Sequence, residues 1–458
     1  MIRVIRTELR RSNAIPLVIL LILASALVLA ATMHQWNRQL LLFSYQQAAS
    51  LLLLVPLALA GGATLGRRER RTRATELMDS TGRPRWQKVT PPAAALAVAV
   101  AGVHLLTLAV GATMIGTTGG LLNATAALPA LVDITVLVGA VWLGFAAARA
   151  WPTPALPAAL AALILVAQVA VESTAEDSRL RSLTLNLPPP GNTWESFTTE
   201  ALLGRLALGA GLLLGGLLLG AGASRLLRAA GLAVAAAGVV LTVVITPLGP
   251  GSRYQVDAAA QRLVCADGTP QVCVTAVYAY ELPTVTPAVR RALTLLAKLP
   301  GAPSRAVQWR ADAASTFDPA QFRGTTPKVE PGTVLFRIAP GNRLLGTGDL
   351  FRTKALDPVA LTANIVNGAG TTMNGCRLGD EVALGAAGAW LMDVDVLPLT
   401  DNQFTYDDGA RAEIAATVRA LRELPPQEQV RRVTALRDAA NACRNDDLRS
   451  ILAGEPTA

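Results

Sequence analysis

Few side chains in this sequence have the types and spacing that catalysis requires. The four lysines, at positions 88, 298, 328 and 354, follow Gln, Ala, Pro and Thr, whereas a P-loop needs a lysine after glycine to reach the phosphates. The two histidines, His34 and His104, lie in or beside apolar runs, and no HExxH or GxSxG pattern occurs. We therefore expect no nucleotide hydrolysis and no common hydrolase chemistry on this chain, and assign no catalytic residue.

One carboxylate cluster offers oxygen atoms of the kind that calcium prefers. It lies in DVDVLPLTDNQFTYDDG and consists of Asp393, Asp395, Asp401, Asp407 and Asp408. Its spacing differs from that of an EF-hand, and acidic turns are commonly solvated loops. No metal site is predicted.

All four cysteines, Cys265, Cys273, Cys376 and Cys443, lie in the C-terminal part of the chain. An even number confined to one part indicates disulfides in an oxidising compartment. The stretch LVCADGTPQVCV is typical of two strands around an Asp-Gly turn, which would pair Cys265 with Cys273 and leave Cys376 for Cys443. Four buried free thiols are the alternative.

The elements that position these side chains include long apolar runs. The chain is 52% apolar and 16% charged, which is typical of a membrane protein. A bilayer-spanning helix needs about 20 apolar residues, and seven runs qualify, with six or eight as neighbouring counts. They are 14–33, 48–66, 93–115, 130–148, 155–171, 201–222 and 229–247. We interpret the first run as an uncleaved helix rather than a cleaved signal peptide because it is longer than a usual signal core.

Charge predicts the orientation of the runs. Residues 1–248 carry 19 Lys plus Arg and 10 Asp plus Glu, whereas residues 249–458 carry 22 of each. The excess positive charge lies at 1–13, 67–92, Arg149 and 225–228, which are all on one side if the runs alternate. Because Lys and Arg favour the cytoplasmic side, we expect a multi-pass protein of the plasma membrane with its N-terminus in the cytoplasm and its C-terminal part outside. The basic pI reports this topology, so no nucleic-acid partner is expected.

Composition divides the chain into two domains. Residues 1–248 are predicted to form the transmembrane domain, and Pro247, Gly249, Pro250 and Gly251 indicate a linker. Residues 249–458 combine strand-like runs such as QVCVTAVY with helical patterns such as TPAVRRALTLLAKL, in which Thr286 is the expected N-cap. The predicted fold is an α-helical polytopic membrane protein, with about seven spans, followed by an extracytoplasmic α+β domain.

The segment between the second and third runs, RRERRTRATELMDSTGRPRWQK at 67–88, packs seven Arg and one Lys around a short apolar patch. Ala74, Leu77 and Met78 share one helical face at spacings of i, i+3 and i+4. A short amphipathic helix is therefore predicted at 72–81. A basic loop that touches anionic lipid is the alternative.

The letters RERRTRATELMDSTGRPRW resemble the coupling-helix segment of permease subunits of ABC-type exporters, the class with six spans per subunit. The positions that resemble it are Arg68, Glu69, Thr75, Glu76, Leu77, Ser80, Arg83 and Trp86, while Ala74 and Gly82 replace the usual glycine and proline. The resemblance implies that the helix docks in a groove of a separate ATPase subunit. The residues expected at that contact are Glu69, Thr75, Glu76, Leu77 and Met78.

The resemblance also implies the cofactors and partners. ATP and Mg would bind the partner ATPase and not this chain, and the permease would work as a homodimer or heterodimer in the lipid bilayer. The seventh run and the C-terminal domain are not part of the common family plan. The alternative function is a membrane-anchored receptor or scaffold whose outer domain binds an envelope ligand.

Overall fold

The chain divides into two compact units, Met1–Asp257 and Ala258–Ala458, in this computed structural model. The first unit extends past the predicted boundary at residue 248 because a strand at Tyr254–Val256 pairs with a strand of that unit. The structure describes residues 14–36, 38–68, 85–174, 178–185, 194–222, 224–249, 252–310, 329–338, 357–374, 376, 379–399 and 406–455.

The first unit is helical, with one two-stranded ribbon. Two short elements, the helix Met33–Trp36 and the 3-10 turn Arg179–Leu183, complete it. The ribbon pairs β1 (Glu195–Phe197) with β2 (Tyr254–Val256) in antiparallel register. The long elements are α1 (Ala14–Ala31), α2 (Leu40–Ala49), α3 (Leu51–Gly66), α4 (Arg85–Thr117), α5 (Ala124–Ala150), α6 (Leu156–Glu172), α7 (Thr199–Ala221) and α8 (Arg225–Ile245).

Four of these helices, α4, α5, α7 and α8, are long and apolar enough to cross a membrane. Helices α2 and α3 meet at Ser50 with a bend of 47° and would together make a fifth span. Helices α1 and α6 are apolar but shorter. Each predicted run therefore contains a helix, which indicates a membrane-embedded protein, but the count of seven spans is not confirmed.

The helices give the first unit two distinct ends. Short loops join α4 to α5, α5 to α6 and α7 to α8, so these neighbours run in opposite directions. We call the end that carries the β1–β2 ribbon the sheet end. The opposite end, called the arginine end, carries the basic residues Arg67, Arg68, Lys88, Arg149, Arg225 and Arg228.

Helix α5 forms the centre of the first unit and packs most extensively against α3 and α7. Glycines allow this close approach. A Cβ added at Gly62 of α3 would lie 2.1 Å from the Val141 carbonyl oxygen of α5. Helices α7 and α8 meet in the same way, since a Cβ at Gly211 would lie 2.6 Å from the Gly238 Cα. The small residues therefore allow backbone-to-backbone packing, as is common between membrane helices.

The second unit is built on a four-stranded sheet with the order β3-β4-β5-β6. The strands are β3 (Leu263–Cys265), β4 (Gln271–Thr275), β5 (Arg305–Gln308) and β6 (Thr333–Phe336). The β3–β4 pair is antiparallel, whereas β4, β5 and β6 are parallel. Parallel neighbours need a crossover, and between β4 and β5 this crossover contains a helix.

Helices supply most of the second unit. They are the short helix Ala258–Gln261, α9 (Leu282–Leu296), α10 (Pro358–Val366), α11 (Glu381–Met392), α12 (Asp408–Arg422), α13 (Pro426–Asn441) and α14 (Leu448–Ala453), with 3-10 turns at Ala276–Glu281 and Asn367–Gly370. The predicted start of α9 is wrong, because the helix already begins at Leu282 and Thr286 lies inside it. The Thr286 hydroxyl donates to the Leu282 carbonyl at 2.5 Å instead of capping the helix.

Candidate functional site

The residues predicted to contact an ATPase lie outside the described residues, as does the predicted helix at 72–81. They are Glu69, Thr75, Glu76, Leu77 and Met78. The helices on either side are described. Helix α3 ends at Gly66 and α4 begins at Arg85, and both of these helix ends lie at the arginine end.

An ion pair lies inside the helix bundle of the first unit. Arg205 Nε of α7 lies 2.5 Å from Asp133 Oδ1 of α5, with side-chain exposures of 8% and 0%. At a rise of 1.5 Å per residue, Asp133 is about 13 Å and Arg205 about 9 Å from the first residues of their helices. The pair therefore lies in the half of the bundle nearer the sheet end. Burying either charge alone would be costly, so each needs the other as a counter-ion.

A short segment of chain, residues 178–185, folds back against this ion pair. The Leu185 carbonyl accepts a hydrogen bond from Arg205 Nη2 at 2.9 Å. The Leu185 N–H donates to Gln168 Oε1 of α6, also at 2.9 Å. Arg181 anchors the segment's other part by donating to the carbonyls of Glu172 and Thr174, the latter at 3.0 Å. The segment is thus fixed by Gln168 of α6 and Arg205 of α7, which bind its backbone, and by its own Arg181, which binds the backbone at the end of α6.

One further buried polar side chain, His104, lies near the ion pair, and Gln47 binds the backbone of His104. His104 of α4 is 2% exposed, and Arg205 and the Ala130 backbone lie close to its ring. Gln47 Nε2 of α2 donates to the His104 carbonyl at 2.8 Å, which links α2 to α4. Among the described residues, His104 Nε2 and Asp133 Oδ2 have no hydrogen-bond partner. The buried polar groups therefore retain unused hydrogen-bonding capacity.

The sheet end is closed by the β1–β2 ribbon and an aromatic cluster. The Tyr45 ring of α2 lies 4.8 Å from the Phe197 ring and 5.9 Å from the Tyr254 ring. Asp257, the last residue of the first unit, accepts hydrogen bonds from Asn123 and from the Thr125 hydroxyl, the latter at 2.9 Å. The chain therefore leaves the first unit at the sheet end, tied to the loop between α4 and α5.

The cysteine pairing predicted from the sequence is confirmed. The Sγ atoms of Cys265 and Cys273 are 2.09 Å apart, and those of Cys376 and Cys443 are 1.90 Å apart. Cys265 and Cys273 face each other across β3 and β4. The alternative of four free thiols is wrong.

The acidic cluster of the second unit has structural partners. Asp393 and Asp395 pair with Arg422 at 3.2 and 3.0 Å. Asp407 is the N-cap of α12 and accepts a hydrogen bond from its first turn at 2.7 Å. Asp401 lies outside the described residues. Within the part of the chain that is described, no group of three or more His, Cys, Asp or Glu is placed to hold a metal ion.

Three groups of the second unit have shifted pKa values, and one of them is Arg431, whose pKa is raised by its hydrogen bond with Glu428. Hydrogen bonds from Arg431 and Arg432 lower the pKa of Glu428 from 4.5 to about 2. Burial raises the pKa of Tyr406 from 10.0 to about 12, although a hydrogen bond with Asn367 opposes the shift. The side chain of Glu428 is 26% exposed and paired with Arg431 and Arg432, and Tyr406 packs inside the unit, so neither group forms an open reactive site.

No protein-family model, no curated protein and no solved structure matches this chain. The site must therefore be interpreted from its own geometry. Sequence reasoning noted His104 in an apolar run without assigning it a role, and it missed Asp133, Arg205 and Gln168. The available signal was one charged residue near the start of each of two apolar runs, 130–148 and 201–222.

Proposed function

We propose that the chain is the transmembrane permease subunit of an ABC-type exporter that depends on a separate ATPase subunit. The observation that carries the proposal is the segment 67–88, whose letters resemble a coupling helix of such permeases. Its described neighbours support the assignment. Helix α3 ends and helix α4 begins at the arginine end, so the two described helix ends that flank the segment lie at the same end of the bundle.

The orientation follows from the distribution of charge. Six basic residues of the described chain lie at the arginine end, and Lys and Arg favour the cytoplasm. The arginine end is therefore assigned to the cytoplasmic side of the plasma membrane, where ATP and Mg are available to the partner ATPase. Because the chain leaves the first unit at the sheet end, the second unit is assigned to the outside. Its two disulfides support an oxidising compartment.

The internal polar groups support transport rather than anchoring alone. A membrane anchor needs no charges inside its bundle, and intramembrane ion pairs are costly to bury. Asp133 and Arg205 lie where helices α5 and α7 pack, close to the chain segment that closes on them. Helices that move during transport would change these contacts. The permease would form a homodimer or a heterodimer with a second permease.

Copurification tests the proposal. The tagged chain is isolated from its native membrane in mild detergent, and its partners are identified and counted by mass spectrometry. An ATPase subunit in stoichiometric amount is the expected result. Its absence, with an intact chain, would support the membrane-anchored receptor or scaffold instead.

A pair of variants tests the role of the predicted coupling helix. Leu77→Asp places a charge in a desolvated contact and is expected to weaken ATPase association by about 3 kcal/mol, or roughly a hundredfold. The matched control replaces Arg70 and Arg71 with Gln, which alters rim charge and should have a smaller effect. Both variants are compared at equal membrane levels. Full ATPase retention by Leu77→Asp would contradict the assignment.

A further inference from the structure

Leu185 is held in the bundle as a bound ligand would be held. Its side chain is 3% exposed and belongs to the same apolar cluster as Val136 and Leu137 of α5. Its N–H donates to Gln168 Oε1, and its carbonyl accepts from Arg205 Nη2. The apolar side chain, the amide donor and the carbonyl acceptor of one residue are thus each recognised by a different group.

Of the two side chains that hold Leu185, Arg205 is also held by a group outside segment 178–185, whereas the described contacts of Gln168 are to the segment itself. Arg205 Nε contacts the Asp133 carboxylate, so the guanidinium stays oriented when its Nη2 partner changes. Gln168 Nε2 contacts the Leu183 carbonyl at 3.5 Å, which is at the limit of a hydrogen bond, so its amide also has capacity for a new partner. These side chains come from three helices, α5, α6 and α7. When the segment leaves, the apolar lining and the oriented guanidinium of Arg205 remain, and the amide of Gln168 becomes available to a new partner.

The segment is attached by separate side-chain hydrogen bonds and not by a regular helix or sheet of the bundle. Its described backbone forms only a short 3-10 turn, Arg179–Leu183, and single hydrogen bonds of the kind that hold Leu185 make modest net contributions. A ligand with the same three groups can replace Leu185 without leaving Gln168 or Arg205 unpaired. Segment 178–185 therefore has the properties of an internal plug.

We propose that Leu185 occupies a binding site for an apolar peptide, and that segment 178–185 is a plug displaced when such a peptide binds. The identification of such a peptide as a transported substrate rests on the proposed function. A lipid chain would fill the apolar lining but leave the buried amide of Gln168 and the guanidinium of Arg205 unpaired. A sugar would satisfy the polar groups but not the lining. A peptide matches both.

A binding measurement on the purified full chain tests the proposal. In the plug variant, residues 182–185 are replaced by Gly-Ser-Gly-Ser, and the probe is a fluorescent peptide with the sequence SLTLN of residues 182–186. The plug variant should bind the probe at least about tenfold more tightly than the unmodified chain, because the competing segment is gone. Adding Gln168→Leu should then weaken binding about tenfold through the lost hydrogen bonds.

Two controls define the site. Leu163 lies on α6, the helix that carries Gln168, and its side chain is 66% exposed. In the plug variant, Leu163→Ala should therefore leave probe binding unchanged. A probe in which both leucines are aspartates should not bind. Equal probe binding by the plug variant with and without Gln168→Leu would overturn the site.

A second readout remains informative if the plug variant fails to fold. The four native cysteines form disulfides, so Leu185→Cys introduces a single thiol for maleimide labelling. The probe peptide should increase the labelling rate in a saturable way, because it expels the plug. An unchanged rate at all probe concentrations would overturn the proposal. Neither readout needs an ATPase. If the ATPase copurifies but the peptide does not bind, only the binding site is rejected. If the peptide binds but no ATPase copurifies, the exporter assignment is rejected.

Discussion

Replacing Arg205 with methionine would leave the fully buried Asp133 carboxylate without its cation. Breaking a buried ion pair from one side costs about 3 kcal/mol at the low end. The variant also loses the hydrogen bond to the Leu185 carbonyl, which contributes about 1 kcal/mol. We therefore expect Arg205→Met to lower the free energy of unfolding by about 4 kcal/mol.

Replacing Asp133, the partner of Arg205, isolates the contribution of the ion pair. Asp133→Leu alone leaves the guanidinium buried and is expected to cost about 3 kcal/mol. The double variant removes both charges and retains apolar volume, so we expect it to lose less than either single variant. Independent contributions would instead add to about 7 kcal/mol. The losses in unfolding free energy predicted by these two outcomes differ by enough to measure.

Reversible unfolding in mixed detergent micelles, followed by circular dichroism of the helices, provides the assay. All variants are compared in the same micelle composition. Glu200→Gln, an exposed change in the first turn of α7, serves as the matched control and should stay within about 0.5 kcal/mol of the unmodified chain. A double variant whose loss equals the sum of the two single losses would refute the reasoning.

Three further predictions concern packing, cross-linking and charge. Gly62→Ala should lower the free energy of unfolding by about 1–3 kcal/mol, because its Cβ meets the α5 backbone, whereas Gly102→Ala, with nothing within 4 Å, should be neutral in the same micelle assay. Cys376→Ser opens a loop with a sequence separation of 67 and should cost about 4 kcal/mol in denaturant titration of the second unit's signals; a loss below 1 kcal/mol would contradict this. The folded pKa of Glu428, about 2, is below its ordinary 4.5, so its stabilising contribution is full above pH 4.5 and is lost as the pH falls towards 2. Glu428→Gln should reduce the change in unfolding free energy with pH between 4.5 and about 2. An unchanged pH dependence would show that Glu428 does not cause it.

Local patterns predicted the helices and the disulfides well. An apolar run of about 20 residues has few ways to satisfy its backbone in lipid except as a helix, so each of the seven runs contains one. The Asp-Gly turn likewise predicted that Cys265 faces Cys273. The break at Ser50 was not predicted, because the polar Ser44, Gln46 and Gln47 confined the predicted run to 48–66 and left most of the helix Leu40–Ala49 outside it.

Contacts between residues far apart in the chain could not be predicted from the sequence. Asp133 and Arg205 lie near the starts of their apolar runs, where a charge would normally reach the membrane surface. They are buried because α5 begins at Ala124, before the run itself, and because segment 178–185 covers the pair. The parallel pairing of β4, β5 and β6 was missed for a similar reason, since strand partners far apart in sequence leave no local pattern.

The glycine-lined packing of α5 also constrains how the protein is made. Helix α3 emerges from the ribosome before α5, so the face around Gly62 enters the bilayer without its partner. A glycine face gains little from lipid contact, and its stabilising contacts form only when another backbone comes close. Until residue 150 has been synthesised, α3 and α4 are an incomplete assembly that chaperones or membrane proteases can recognise. Translation that stalls in the loop between α4 and α5 should therefore yield a short-lived fragment, whereas stalling after α7 should yield a persistent one.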